Sequence, residues 1–155
     1  MNPSKTRLNI INLLMLCCLA ALLSSCATKI PYKSVKNQLP PINAGNARIF
    51  VYSLGGSIIF DVSIDDEDVA SVTGAGCAYV DHSSGKCTLT IRMRGFIAPR
   101  QDLALDLAPG ETQYVQVELD HNVWGARCRA ILMDPDQGSP DLDQCYLLNP
   151  IVPKS

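Results

Sequence analysis

Residues 87–94 read Cys-Thr-Leu-Thr-Ile-Arg-Met-Arg, and they give the clearest indication of fold class in the chain. Apolar and polar side chains alternate strictly, which is the period of a β-strand with one buried face and one solvated face. The apolar set runs from Cys87 to Met93, and the polar set includes Arg92 and Arg94. The stretch therefore predicts a strand that covers a core with one face.

The same two-residue period recurs on both sides of this strand. Turn residues separate the runs at intervals of about 8–12 residues, as in all-β domains, and no helical period is sustained. We predict a single antiparallel β-sandwich of about seven to nine short strands within residues 46–149. Its other strands are expected over residues 47–52, 58–64, 68–72, 77–81, 103–107, 115–119, 126–132 and 145–148.

Two connections are interpreted from their turn residues. Pro109-Gly110 has the residues of a type II turn, so the strand over 115–119 is expected to return as the partner of the strand over 103–107. Residues 134–143 hold several carboxylates and are predicted to form an acidic loop.

The N-terminus has the layout of an export signal. Lys5 and Arg7 precede the apolar run Ile10–Leu23, which is too short for a membrane-spanning helix of about 20 residues. Leu23-Ser24-Ser25-Cys26 closes the run and resembles the lipobox of bacterial lipoproteins. The resemblance implies that residues 1–25 are removed and that Cys26 carries three acyl chains, enough for stable membrane attachment. Ala27, in place of an Asp, implies the outer membrane.

The segment between the lipobox and the sandwich is polar and contains three prolines. We predict a flexible tether over residues 26–45 and a C-terminal tail over residues 150–155. The sandwich is expected to face the periplasm, with surface exposure left open.

Charge excludes one class of partner. The chain after Ser25 keeps 11 basic and 15 acidic residues, a net charge of −4. Nucleic-acid binding needs clustered Lys and Arg, so no nucleic-acid partner is expected.

Four cysteines remain in the mature chain besides Cys26, namely Cys77, Cys87, Cys128 and Cys145. An even number in an oxidising compartment predicts two disulfide bonds. Three pairings are possible, and the shortest loops favour Cys77–Cys87 with Cys128–Cys145. Zinc is disfavoured because no Cys-x-x-Cys pair is present.

The domain also resembles a family of small bacterial lipoproteins whose domain has no assigned function. The resemblance covers about Gly45 to Met133 and lies in Ala44–Tyr52, Ile64–Ala70, Gly85–Cys87 and Pro109–Val115. Asp66 departs from the pattern, which has Gly at that turn position. The family implies a β-sandwich and an envelope location, and it implies no activity.

No catalytic residue, metal site or cofactor is predicted. Asp81-His82 and Asp120-His121 are interpreted as turn polarity, since adjacent residues rarely form a catalytic dyad. The acidic runs 65–68 and 134–136 offer oxygen ligands for Ca²⁺, but the second lacks the Gly and Glu positions of an EF-hand.

Partner binding is the favoured function. Exposed arginines are expected to meet an anionic envelope protein or glycan, and Trp124 is suited to stacking on a sugar ring. The candidate residues are Arg92, Arg94, Arg127, Arg129 and Trp124. The alternative is an inhibitor or immunity factor that presents a protruding loop over residues 134–145, and a remote alternative is an anchored hydrolase.

Overall fold

The alternating segments fold into two facing β-sheets in a computed structural model, which describes residues 29–95, 100–122 and 125–148. The predicted all-β sandwich is confirmed. The described strands are β1 Ile30–Pro31, β2 Asn46–Tyr52, β3 Ile59–Ile64, β4 Glu67–Thr73, β5 Gly76–Ser83, β6 Gly85–Met93, β7 Gln101–Leu107, β8 Thr112–Asn122, β9 Gly125–Met133 and β10 Tyr146–Leu147. The helices are α1 Tyr32–Val35, a 3-10 helix Lys36–Gln38 and α2 Pro135–Leu142.

One sheet has six strands in the order β1-β10-β5-β2-β8-β9, and the other has four in the order β4-β3-β6-β7. Most pairs are antiparallel, as predicted. Two pairs are parallel instead, namely β2 with β8 and β5 with β10. The sandwich is therefore mixed, and β1 and β10 are two-residue additions to the eight longer strands.

The expected hairpin between β7 and β8 is wrong, because β7 pairs with β6 and β8 pairs with β2 and β9. The turn after β7 is held by the start of β2. Gly110 N donates to Asn46 O at 2.7 Å, and Arg48 N donates to Glu111 O at 2.8 Å. These bonds hold the turn where the chain crosses from the four-stranded sheet to the six-stranded sheet.

The core between the sheets consists of the inward side chains of β2 to β9. Val62, Leu89, Ile91 and Val115 in this core are completely shielded from solvent. Cys87 and Cys128 also lie in it, on the apolar faces of β6 and β9 as predicted.

A second apolar cluster lies on the outer face of the six-stranded sheet. The Phe50 ring stacks on the Tyr114 ring at 5.8 Å between centroids and meets the Tyr32 ring edge-on at 5.4 Å. The N-terminal segment and α2 cover this face. The molecule thus has a third layer, and its cluster contains Tyr32, Phe50, Tyr52, Cys77, Leu142 and Cys145.

The predicted tether needs correction. From Ile30 the N-terminal segment forms β1, α1 and the 3-10 helix on this outer face. Tyr32 is buried, and its backbone N–H donates to Cys145 O at 2.9 Å. One aromatic anchor and a few backbone bonds hold a segment that has no hydrophobic period. Residues 26–28 of the predicted tether lie outside the described residues.

The predicted acidic loop is also wrong over most of its length, since residues 135–142 form α2. Pro135 occupies the start of the helix, where its missing N–H costs nothing. Leu142 is completely buried in the second cluster, so the segment packs on the sheet.

Three further predictions concern parts of the chain outside the described residues. They are the signal peptide with Cys26, Trp124, and the C-terminal tail over residues 150–155.

Candidate functional site

The outward face of the four-stranded sheet is the candidate site. The register of the strands determines which side chains lie beside one another on it. Asp61 lies opposite Arg92, Ser63 opposite Thr90, and Thr90 opposite Asp102. Inward neighbours on each strand fill the core, so every second residue is left to this face. With the turn at Asp65–Asp66, its charged residues form the acidic face: Asp61, Asp65, Asp66, Asp68, Asp102, Asp106, Lys86, Arg92, Arg94 and Arg100.

The arginines on this face are held by the chain's own carboxylates. Arg92 Nη2 lies 3.1 Å from Asp68 Oδ1, and Arg94 Nε lies 3.2 Å from both oxygens of Asp61. Arg100 Nε lies 3.5 Å from Asp102 Oδ2. Two cross-strand hydroxyls join these pairs: Thr90 Oγ1 donates to Asp102, and Ser63 Oγ donates to Asp68.

The pairing of Asp61 with Arg94 also shifts the pKa of both groups. Hydrogen bonds from Arg94, supported by the Ser71 hydroxyl, lower the pKa of Asp61 against the cost of partial burial. The same bond raises the pKa of Arg94. Asp61 is therefore ionised at neutral pH and forms a fixed part of the face.

A groove of about 400 Å³ runs between the Asp65–Asp66 turn and strands β6 and β7. The turn stands against β6, because Thr88 N donates to Asp65 Oδ1 at 2.8 Å and Asp65 N donates to Thr88 O. Both turn residues have positive φ, 48° for Asp65 and 68° for Asp66, as a two-residue type I′ hairpin requires. The groove is lined by Asp65, Asp66, Thr88, Thr90, Arg100 and Asp102.

The acidic face carries six carboxylates against four cations. After the arginines are paired, acidic groups are left in excess around the groove. The face therefore suits a partner that presents cations and hydrogen-bond donors, which is the opposite of the anionic partner expected from the arginines alone.

The five predicted partner-binding residues do not converge. Arg92 and Arg94 lie on the acidic face, whereas Arg127 and Arg129 are exposed on β9 of the other sheet. Arg129 pairs there with Glu118, Nη1 to Oε1 at 3.7 Å. Trp124 lies outside the described residues.

The Asp81-His82 pair points in two directions. Asp81 binds Arg48, while His82 Nε2 lies 3.8 Å from Asp65 Oδ2 and its Nδ1 lies 2.9 Å from Ser83 O. Asp81 therefore does not orient the His82 ring. The side chain of His121 lies outside the described part.

Within the described residues, the acidic runs do not converge on a metal site. In residues 29–95, 100–122 and 125–148, no group of three or more His, Cys, Asp or Glu side chains is close enough to hold a metal ion.

The four cysteines separate into two layers. Cys77 and Cys145 are completely buried together in the outer cluster. Cys87 and Cys128 lie between the sheets. The predicted pairings Cys77–Cys87 and Cys128–Cys145 are thus wrong, because each joins a cysteine of the outer cluster to a cysteine in the core between the sheets. The structure forms no disulfide among the four cysteines that it describes.

The buried pair Arg48–Asp81 was not predicted. Arg48 lies on β2 beside Phe50 and Tyr52, on the outward side of the first strand. Two large aromatic residues on that side were a signal that both faces of β2 are buried. A central strand buried on both faces requires a partner for any charge that it carries.

Comparisons with known proteins leave the family open. No family model matches the chain, and no curated protein matches it. Among solved structures, the chain is similar to the N-terminal domain of AlgF from P. aeruginosa. That match covers 59% of this chain and 98% of the domain, with 20% identity and a TM-score of 0.35. No described helix has the length and hydropathy needed to cross a membrane.

Proposed function

We propose that this protein is a lipid-anchored envelope lipoprotein whose sandwich is a non-enzymatic binding module. Its binding surface is the acidic face, and its partner is a protein with a basic surface. The observation that carries the proposal is the excess of carboxylates around the groove beside arginines that are already paired.

Several properties of the face support this role. Asp61, Asp68 and Asp102 lie on strands and are fixed by cross-strand bonds such as Thr90 Oγ1 to Asp102 Oδ1 at 2.8 Å. A preorganised surface loses little side-chain freedom on binding. Its negative field accelerates encounter with a positive partner, and this acceleration weakens as ionic strength rises.

The anchor follows from the lipobox and remains part of the proposal, as does the outer-membrane location. Only three residues separate Cys26 from Ile30, where β1 begins to pair with β10. The four residue steps from Cys26 to Ile30 span about 14 Å in an extended chain. The sandwich is therefore held close to the lipid surface, in contrast to a module on a 20-residue flexible tether.

The inhibitor alternative loses its main support. It required a protruding loop over residues 134–145, but α2 packs there with Gly138 and Leu142 buried.

Site-specific photocrosslinking in intact cells tests the proposal. A photoreactive residue at Thr88, in the groove, should capture one protein with a basic surface. The same residue at Arg129, exposed on the other sheet, should not capture it.

A charge-matched pair of variants supplies the control. Asp106→Lys, on the acidic face, should reduce the Thr88 adduct at least tenfold, whereas Asp120→Lys, exposed on β8, should leave it unchanged. Equal adducts from both variants, or capture from Arg129 alone, would refute the acidic face as the binding surface.

A further inference from the structure

We propose that Cys77 and Cys145 form a disulfide bond that fastens the C-terminal segment to strand β5. The inference rests on the export of the chain in the proposed function, because an oxidising compartment is where such a bond persists. It replaces the two predicted pairings with one bond at a different place.

The backbone brings the two residues together. β10 runs parallel to β5, with Leu147 opposite Cys77. Tyr146 N donates to Ala75 O at 2.8 Å and Leu148 N donates to Cys77 O at 2.7 Å, so the segment after Cys145 is bonded to Cys77 itself and to Ala75 two residues before it.

The side chains face each other over the outer face of the six-stranded sheet. Cys77 lies opposite Tyr52 in β2, and Cys145 Sγ lies 3.8 Å from the carbonyl oxygen of Ser53, the next residue. Both thiols belong to the same apolar cluster and are exposed by 0% and 1%. Two neighbouring buried thiols inside an apolar cluster have the placement of a structural disulfide.

The pKa values of the two thiols are shifted in opposite directions in the folded protein. The hydrogen bond to Cys145, together with burial, raises the pKa of Cys77. That same bond, donated by the Cys77 thiol, lowers the pKa of Cys145 against the opposing effect of burial. These shifts belong to the folded pair, so they do not decide which thiol attacks first while the segment is still open.

The oxidant is a protein or peptide disulfide, such as that of a thiol–disulfide oxidoreductase. If Cys145 is the first nucleophile, its thiol loses its proton, and the thiolate attacks the oxidant's disulfide, which forms a mixed disulfide and expels one thiolate. Cys77, after losing its proton, then attacks the Cys145 sulfur and expels the second. Two protein thiols become one disulfide, and the oxidant leaves as a dithiol that carries both protons and both electrons. Because the folded pair is buried, exchange takes place before α2 and β10 close over it.

The remaining cysteines are too far apart along the strands for the analogous bond. Cys128 Sγ lies 3.6 Å from Ile91 O, and Ile91 is four residues along β6 from Cys87. Four residues of extended strand span about 13 Å, well beyond the reach of a disulfide.

The bond would secure more than the C-terminus. β1 pairs with β10, Tyr32 N donates to Cys145 O, and Lys36 Nζ lies 2.9 Å from Asp143 Oδ1. The N-terminal segment beside the predicted lipid anchor is thus bonded to residues 143–147. A Cys77–Cys145 disulfide fixes the platform on which that segment rests.

Peptide mapping tests the bond. The full chain, purified in detergent, is unfolded and refolded with oxidised and reduced glutathione, alkylated without reduction and digested with trypsin. Cleavage after Lys86 separates Cys77 from Cys87, and cleavage after Arg129 separates Cys128 from Cys145. We expect peptide 49–86 joined to peptide 130–154, and loss of the joined species on reduction. The Cys87→Ser variant should keep the joined species, and Cys145→Ser should lose it.

Joined peptides that report Cys77–Cys87 or Cys128–Cys145, or alkylation of all four cysteines, would overturn the inference. Reduction of the bond should also lower the thermal midpoint by roughly 10 °C, given the length of the closed loop. Because refolding is done in vitro, this result is independent of where the chain resides. Loss of the envelope location in cell fractionation would refute the proposed function and leave the bond unaffected.

Discussion

The Arg48 guanidinium on β2 donates two parallel hydrogen bonds to the Asp81 carboxylate on the neighbouring strand β5. Arg48 Nε lies 2.6 Å from Oδ1, and Nη2 lies 2.7 Å from Oδ2. Arg48 is only 6% exposed, and its guanidinium also covers the Tyr79 ring at 4.6 Å. Nη2 donates to Pro40 O at 2.9 Å as well, so the pair links the sheet to the N-terminal segment. The hydrogen bond to Asp81 raises the pKa of Arg48 and keeps it charged in this layer.

Removal of Asp81 should leave the buried positive charge of Arg48 without a counter-ion. We expect Asp81→Ala to lower the free energy of unfolding by about 3–5 kcal/mol, because the guanidinium keeps its burial cost and loses its counter-ion. Urea denaturation measures the change. Asp120→Ala, at an exposed position, is the control and should shift stability by less than about 0.5 kcal/mol. Equal midpoints for the two variants would show that the pair contributes nothing.

The Asp61–Arg94 pair makes stability depend on pH. The folded pKa of Asp61 lies below its usual 3.8 because Arg94 donates to it, so the pair stabilises the folded state at neutral pH. This contribution is complete above pH 3.8 and is lost as the pH falls through the folded pKa. Arg94→Gln should therefore lose less stability than the wild type between pH 5 and pH 2. Lys33→Gln, at an exposed position in α1, should retain the wild-type profile in urea titrations at each pH. Parallel profiles for wild type and Arg94→Gln would argue against the pair.

Gly138 is required where α2 meets the sheet. A Cβ at this position would overlap the Cβ and ring carbon of Tyr114. Gly138→Ala should destabilise the protein by about 1–3 kcal/mol through overpacking, although alanine favours a helix by itself. Gly55→Ala, where a Cβ meets no atom within 4 Å, is the matched control and should be nearly neutral. Thermal unfolding of both variants decides this, and a stabilised Gly138→Ala would mean that α2 is not packed on Tyr114.

Tyr32 should protect the N-terminal segment from proteolysis. In the folded protein, Lys33 and Lys36 belong to helical turns that are held by the buried Tyr32 ring. Trypsin should cut these sites at least tenfold faster in Tyr32→Ala, since local opening then loses its main apolar contact. Asn37→Ala, at an exposed position, should leave the rate unchanged. Rapid cleavage of the wild type at Lys33 and Lys36 would instead support the flexible tether that the sequence predicts.

The sequence predicts which residues form strands but not how the strands are distributed between sheets. The eight long strands follow from side-chain alternation, as in residues 87–94. β7 and β8 share that alternation because both cover the same core, so the pattern contains no signal that they belong to different sheets. β8 is directed to the six-stranded sheet by two backbone bonds, Gly110 N to Asn46 O and Arg48 N to Glu111 O.

The third layer and the acidic face depend on contacts that no local pattern carries. A single Tyr32 in a polar, proline-containing segment anchors the N-terminus on Phe50, and one-residue anchors have no periodicity. Arg92 and Arg94 were predicted to be outward, which is correct. Their pairing with Asp68 and Asp61 depends on the register of three strands, and it turns an expected cationic surface into an acidic one.

Mass spectrometry of the intact protein extracted from bacterial membranes tests the anchored location from which the proposed role follows. We predict a mature chain that begins at Cys26, with diacylglycerol on its sulfur and an acyl chain on its amino group. A chain that retains residues 1–25, or that carries no lipid at Cys26, would contradict the location and the proposed envelope function.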